Sequence, residues 1–113
     1  MTTLYGIKNC DTVKKARQWL DDHNADYQFH DFRATPITQA QVEAWIGQLG
    51  WDTVVNKRST SWKQLSEAQR NSMDQDTAIA AILDNPTLVK RPLLDIDGSF
   101  TVGFKASIYQ DLF

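Results

Sequence analysis

The stretch Thr2-Thr3-Leu4-Tyr5-Gly6-Ile7-Lys8-Asn9-Cys10-Asp11-Thr12-Val13-Lys14-Lys15-Ala16 decides how this chain is read. Thr2–Tyr5 mixes polar and apolar residues as a short strand does, and Gly6 closes it. Beyond the turn, Val13, Ala16, Trp19 and Leu20 recur at helical spacing, while Lys14, Lys15, Arg17, Gln18 and Asp21 fill the opposite face. Asp11 or Thr12 is the expected cap, a short polar side chain accepting a backbone N–H bond at the helix start. The helix should fray near His23-Asn24. Tyr27, Phe29 and Asp31 then alternate with Gln28, His30 and Phe32 as a second strand. Strand, helix and strand within about thirty residues predict a βαβ unit, with parallel strands and a right-handed crossover.

Downstream, Pro36 ends a loop and Thr38 with Gln41 forms a capping box. Val42, Trp45, Ile46 and Leu49 trace an apolar stripe, which Gly50 stops. Shorter helical pieces are expected around Ser61–Leu65 and Ser66–Asn71, the second with its own Ser66/Gln69 box. A further helix should run from about Asp76 to Asp84, packing Ile79, Ile82 and Leu83 before Pro86 breaks it. Leu88–Lys90 and Leu93–Ile96 read as extended, and Asp97-Gly98 as a two-residue hairpin turn into Phe100–Val102. The tail Lys105–Phe113 reads as a last helix burying Ile108, Tyr109 and Leu112. The order is β-α-β, a helical insert, then β-β-α. This predicts an α/β fold with a four-stranded mixed sheet flanked by helices, for which the thioredoxin-like architecture is the natural match. The whole chain, residues 1–113, is expected to be one such domain, with a helical insertion at about 38–85.

Composition bounds the function. A chain of 113 residues with a 42% apolar share suits one ordinary globular domain. The longest uncharged, mostly apolar stretch, Ala44–Trp51, is far below the ~18 residues of a membrane span. The start has neither the basic region nor the long apolar core of a signal peptide. A cytoplasmic location with no membrane partner is expected. Twelve basic against fourteen acidic side chains give a net charge of −2, so nothing draws the chain generally to nucleic acid. A single cysteine excludes an internal disulfide framework and Cys-rich metal sites, and His23 and His30 stand at no metal-ligand spacing. The five scattered glycines form no phosphate-cradling loop. No metal and no bound cofactor are expected.

The chemistry centres on Cys10, at the junction of the first strand and helix. A helix start offers unpaired backbone N–H groups and the positive end of the macrodipole. Both favour a thiolate, which is the attacking species. Lys8 and Lys14 add positive potential. Asp11 opposes them, less so if its carboxylate is committed to capping. The bland alternative, a small buried hydrophobe, describes many lone cysteines; the strand-to-helix position favours reactivity. At Cys-x-x-Cys spacing the second position is Val13, so the site is monothiol. A mixed disulfide on Cys10 is then released only by an incoming thiol, and glutathione is the abundant cytosolic one. Two guanidiniums complete the candidate set: Arg58, in the polar loop Asn56-Lys57-Arg58-Ser59-Thr60, and Arg91, whose backbone is biased to extended conformations by Pro92. Both suit carboxylates and oxyanions through paired hydrogen bonds. Each on its own is more often a solvated charge.

Taken in order, Thr3–Thr12, Lys14-Lys15-Ala16, Asn56–Thr60, Lys90-Arg91-Pro92-Leu93-Leu94 and Val102-Gly103-Phe104 resemble the arsenate reductase-like ArsC/Spx family. The resemblance is nearest to its YffB branch and covers essentially the whole chain. It implies a thioredoxin-like fold with a helical insertion, Cys10 as nucleophile, and a cis peptide before Pro92 facing it. It implies Arg58 and Arg91 lining the pocket, with Asn9, Thr12, Lys14 and Pro92 among the substrate-binding positions. For the YffB branch it implies a glutathione-dependent thiol reductase, an oxidoreductase acting on a small-molecule or protein disulfide with glutathione as co-substrate.

Two alternatives share the resemblance. Glutathione-coupled arsenate reductases carry a histidine where this chain has Gly6, an arginine where it has Lys14, and a third arginine near Gly103-Phe104-Lys105. A tetrahedral oxyanion therefore loses bidentate donors here. Spx-type regulators, which bind RNA polymerase, commonly have a Cys-x-x-Cys pair that Val13 removes.

Overall fold

Thr2–Gly6 forms β1, an interior strand of a four-stranded sheet, in a computed structural model that describes residues Met1–Phe113. Asp11–Asp22 forms α1, and Gln28–Asp31 forms β2, parallel to β1 with Leu4 opposite Phe29 and Gly6 opposite Asp31. This is the predicted βαβ unit. Leu93–Ile96 (β3) lies antiparallel on the other side of β1, with Leu4 opposite Leu94 and Tyr5 opposite Leu93. Ser99–Val102 (β4) closes the sheet in the order β2-β1-β3-β4. Asp97 and Gly98 both take positive φ (50° and 88°), as a two-residue hairpin loop of the primed type requires.

The chain divides into two compact units, residues 1–35 with 91–113, and residues 36–90. In the first, Leu4, Ala16, Leu20, Leu94 and Tyr109 form a buried cluster, joined by Trp19, Phe29, Ile96 and Phe104. Alternation along the strands puts Leu4, Phe29, Leu94 and Ile96 on one sheet face, against which α1 sets Ala16 and Leu20. The terminal helix, Ala106–Leu112, supplies Tyr109 to that cluster. Its other apolar residues do not follow: Ile108 and Leu112 are 42% and 39% exposed, against expectation. One helix of seven residues has only a narrow face, and Tyr109 fills it.

The second unit is helical. Gln39–Leu49 (α2) begins at the Thr38/Gln41 box and ends at Gly50, whose φ is 86°. Trp51–Val54 (α3) is a single turn that the sequence did not announce, starting directly from that glycine. Thr60–Lys63 (α4) is capped by Ser59, and Glu67–Asn71 (α5) by the Ser66/Gln69 box. Gln75–Asp84 (α6) starts two residues after Met73, at an Asp74/Thr77 box, and buries Ala78, Ile79 and Ile82. Leu83, expected inside, is exposed. Leu88 closes a 3-10 turn, Pro86–Leu88, rather than opening an extended segment, and Val89 then bridges Val55. The last helix, Ala106–Leu112, is α7. No helix is long and apolar enough to cross a membrane.

Candidate functional site

Three strand ends and one strand start meet at the same end of the sheet. β1 leaves at Gly6, β2 at Asp31 and β4 at Val102, while β3 enters at Leu93. The segments attached there are the turn to Cys10, the Arg91-Pro92 pair and Gly103–Lys105. Carboxyl ends of strands are where open α/β sheets hold their ligands. The register alone brings Cys10, Arg91, Pro92 and the residues around them to one edge of the first unit.

Cys10 is the N-cap residue of α1, with extended φ and ψ (−133°, 122°) and a half-buried side chain. Its carbonyl accepts the N–H of Lys14 over 2.9 Å, the first bond of the helix. Neither Asp11 nor Thr12 caps, contrary to expectation: both lie inside the first turn, where they are exposed, and no side chain bonds the free amides. An N-cap side chain is the one placed to meet those amides, and here that side chain carries sulfur. The Asp11 carboxylate, at the helix start, is thus an uncommitted negative charge beside it. Val13, three residues on, is fully buried and points at the sheet.

The segments at this end of the sheet carry several cations. Lys8, Lys14 and Lys105 are exposed and Arg91 is half-buried, and none is in an ion pair or a side-chain hydrogen bond. The five N–H donors of the Arg91 guanidinium thus have no acceptor within the chain. Against these stand Asp11 and Asp31, the latter accepting the backbone N–H of Arg33 over 2.8 Å. Pro92 is buried and its peptide bond with Arg91 is cis. The Pro92 carbonyl accepts the N–H of Gly103 over 2.8 Å. Asn9 and Thr12 are exposed on either side of Cys10.

Arg58 belongs to the second unit. Its turn is tightly built: the Asn56 side-chain oxygen accepts the Arg58 N–H over 3.0 Å, and Ser59 donates its hydroxyl to the Asn56 carbonyl over 2.7 Å. Asn56 itself donates its N–H to the Leu88 carbonyl. Lys57 is engaged with Asp52 at 2.8 Å and lies over the rings of Trp51 and Trp62, whereas the exposed Arg58 guanidinium has no partner. Of the two cations in this loop, Arg58 is the one expected at the site, and it is the one left without a partner. The aromatic partners of Lys57 lie on either side of the loop, at positions 51 and 62.

Comparison with known proteins agrees with the fold. The profile of the ArsC family matches residues 5–112. A protein from Haemophilus influenzae is 48% identical over 118 residues, spanning 100% of this chain and 99% of its own length. The solved structure of a protein named YFFB (PA3664) superposes with a TM-score of 0.94 at 43% identity, covering 98% of this chain and 97% of that one. An arsenate reductase (ArsC) related protein from Brucella melitensis is 40% identical, with a TM-score of 0.81, over 97% of this chain and 92% of its own. With a family profile matched over nearly its full length and relatives above two-fifths identity end to end, this chain belongs to the ArsC family and has its thioredoxin-like fold.

Proposed function

We propose that this protein is a glutathione-dependent monothiol reductase in which Cys10 is the nucleophile. The observation that carries the reading is the position of Cys10 at an uncapped helix start, on the sheet end that also carries the unpartnered Arg91 guanidinium. In the first step the Cys10 thiolate attacks one sulfur of a substrate disulfide. A Cys10–substrate disulfide forms, the substrate S–S bond breaks, and the second substrate sulfur leaves as a thiolate that takes a proton from solvent. The chain has no second cysteine, so resolution is intermolecular. A glutathione thiolate attacks the substrate sulfur of the mixed disulfide, and Cys10 departs as thiolate. A second glutathione cleaves the resulting glutathione–substrate disulfide. The sum is one disulfide and two glutathiones converted to two thiols and oxidised glutathione, with both electrons supplied by glutathione and Cys10 returned unchanged.

Arg91 is assigned to a glutathione carboxylate, which its planar donors match in pairs. Lys14 supplies positive potential over the first helical turn, and Pro92 gives the backbone edge beside Cys10. Asn9 and Thr12 flank the sulfur as substrate contacts, and the family resemblance adds Arg58. Intact-mass measurement after oxidised glutathione tests the reading. The expected result is a single adduct on Cys10, absent in Cys10→Ser and reversed by reduced glutathione; a thiol that stays unmodified refutes it.

The likeness to an arsenate reductase related protein supports a second electrophile, arsenate. Gly6, Lys14 and the absence of an arginine at residues 103–105 weigh against it. Arsenate turnover that needs Cys10 would favour this second reading over disulfide reduction.

A further inference from the structure

We infer that Gly6 is a positioning residue for Cys10, acting through Val13; the inference rests on the reading of Cys10 as nucleophile. Gly6 is buried, and strand alternation puts it on the sheet face of Leu4, the face that α1 covers. A Cβ at position 6 would stand 2.8 Å from Cγ2 of Val13, 3.3 Å from Cγ1 and 3.6 Å from Cβ. It would therefore meet the whole isopropyl group rather than one loose end. Val13 has nowhere to turn. It is fully buried, and a valine within a helix holds essentially one χ1 rotamer. The strand side is equally fixed, because Gly6 pairs with Asp31 and its carbonyl accepts the Phe32 N–H over 2.9 Å.

With both neighbours held, what yields to a methyl at position 6 is the first turn of α1. That turn begins at Cys10, three residues before Val13, and the Lys14 N–H ties Cys10 to it. Lifting the turn moves the sulfur relative to Arg91 and Pro92, which enter β3 opposite the end of β1. The contact between Gly6 and Val13 thus sets the height of the nucleophile over the sheet end, and the residue that excludes a second thiol from position 13 is also the one that seats the first.

The test is the rate at which Cys10 forms its adduct with oxidised glutathione, read by intact mass alongside thermal melts. The chains compared are the wild type, Gly6→Ala, Val13→Ala and the double variant. Gly6→Ala should react about tenfold more slowly, in line with the cost of misplacing a reacting group by a fraction of an ångström. The double variant should recover the wild-type rate, because the atoms that a new Cβ strikes are gone. Val13→Ala removes buried methyls and lowers the melting temperature by itself. Stability and reactivity should therefore separate: the double variant melts below wild type yet reacts as fast. A Gly6→Ala chain that reacts normally, or a double variant that stays slow, overturns the inference. Should Gly6→Ala not fold, the double variant decides alone, in the same two directions. If wild-type Cys10 forms no glutathione adduct, the reductase reading fails, and alkylation by iodoacetamide across the same four chains still decides the positioning role.

Discussion

Gly103 donates its N–H to the carbonyl of Pro92 over 2.8 Å, fastening the segment that leaves β4 to the one that enters β3. Arg91 stands immediately before that fastened proline. The residue is half-buried and its guanidinium is bonded to nothing in the chain, so its removal takes away donors without loosening the turn.

Arg91→Ala is therefore expected to weaken glutathione use far more than folding. Loss of a charge-assisted hydrogen bond costs about 1.5–3 kcal/mol, roughly ten- to a hundredfold in kcat/KM for glutathione. Arg91→Lys should fall between, since an ammonium keeps the charge but not the paired geometry. Steady-state kinetics with melting curves check this; unchanged kinetics in Arg91→Ala would remove the residue from the site.

Local chemistry made much of this fold legible, and tertiary contact made the rest invisible. The Thr38/Gln41 and Ser66/Gln69 boxes and the Asp97-Gly98 turn are written in residues three apart or fewer, and each was readable. Exposure of Leu83, Ile108 and Leu112 was not, because a short helix carries apolar residues on more faces than it buries. The single turn Trp51–Val54 has no side-chain cap to announce it. At the site, Cys10 could be found from its strand-to-helix position, but its own place as N-cap was hidden by two better capping residues directly after it. Arg58 and Arg91 were candidates from their loop and pre-proline positions, but each alone reads as a solvated charge, and only the resemblance assigned them to the pocket. Gly6 looked like the end of a strand; its close approach to Val13 spans a turn and appears only in space.

The α6 start makes an acid-sensitive cap. The Asp74 carboxylate accepts the Thr77 N–H over 2.9 Å and the Thr77 hydroxyl over 3.0 Å, and these bonds hold its pKa below the usual aspartate value. A folded pKa below the unfolded one adds stability above the unfolded pKa, which is lost as pH falls through the folded pKa. Asp74→Asn keeps a good cap without the titration. Its acid melting profile should therefore be flatter than that of the wild type below about pH 4, the ordinary aspartate range. Identical profiles would show that Asp74 adds nothing to acid lability.

Lys57 and Arg58 are adjacent but differently held, and single substitutions should separate them. Lys57 couples Asp52 to the rings of Trp51 and Trp62 at 5.1 and 5.9 Å. Lys57→Ala should alter tryptophan emission and lower stability by no more than ~1 kcal/mol, the scale of exposed pairs. Arg58→Ala touches no partner and should leave both within about 0.5 kcal/mol of stability and unchanged emission. A larger loss in Arg58→Ala than in Lys57→Ala would reverse this assignment.

Tyr109 buries a hydroxyl that finds no acceptor or donor in the protein. Its ring is well placed, edge-on to Phe104 at 4.8 Å and to Trp19 at 5.6 Å, and a phenylalanine keeps both contacts. Tyr109→Phe removes only the stranded oxygen, whose desolvation costs about 1–3 kcal/mol, so the variant should melt higher than wild type. Burial also pushes this phenol's pKa well above the ordinary tyrosine value. With the folded pKa above the unfolded one, the unfolded chain releases the proton first, and wild-type stability falls as pH rises past the unfolded value near 10. The two chains differ at no other position, so the difference between the two alkaline melting curves belongs to Tyr109 alone. That difference should widen with pH; a constant offset, or a variant that melts lower, would mean that the hydroxyl is satisfied in solution.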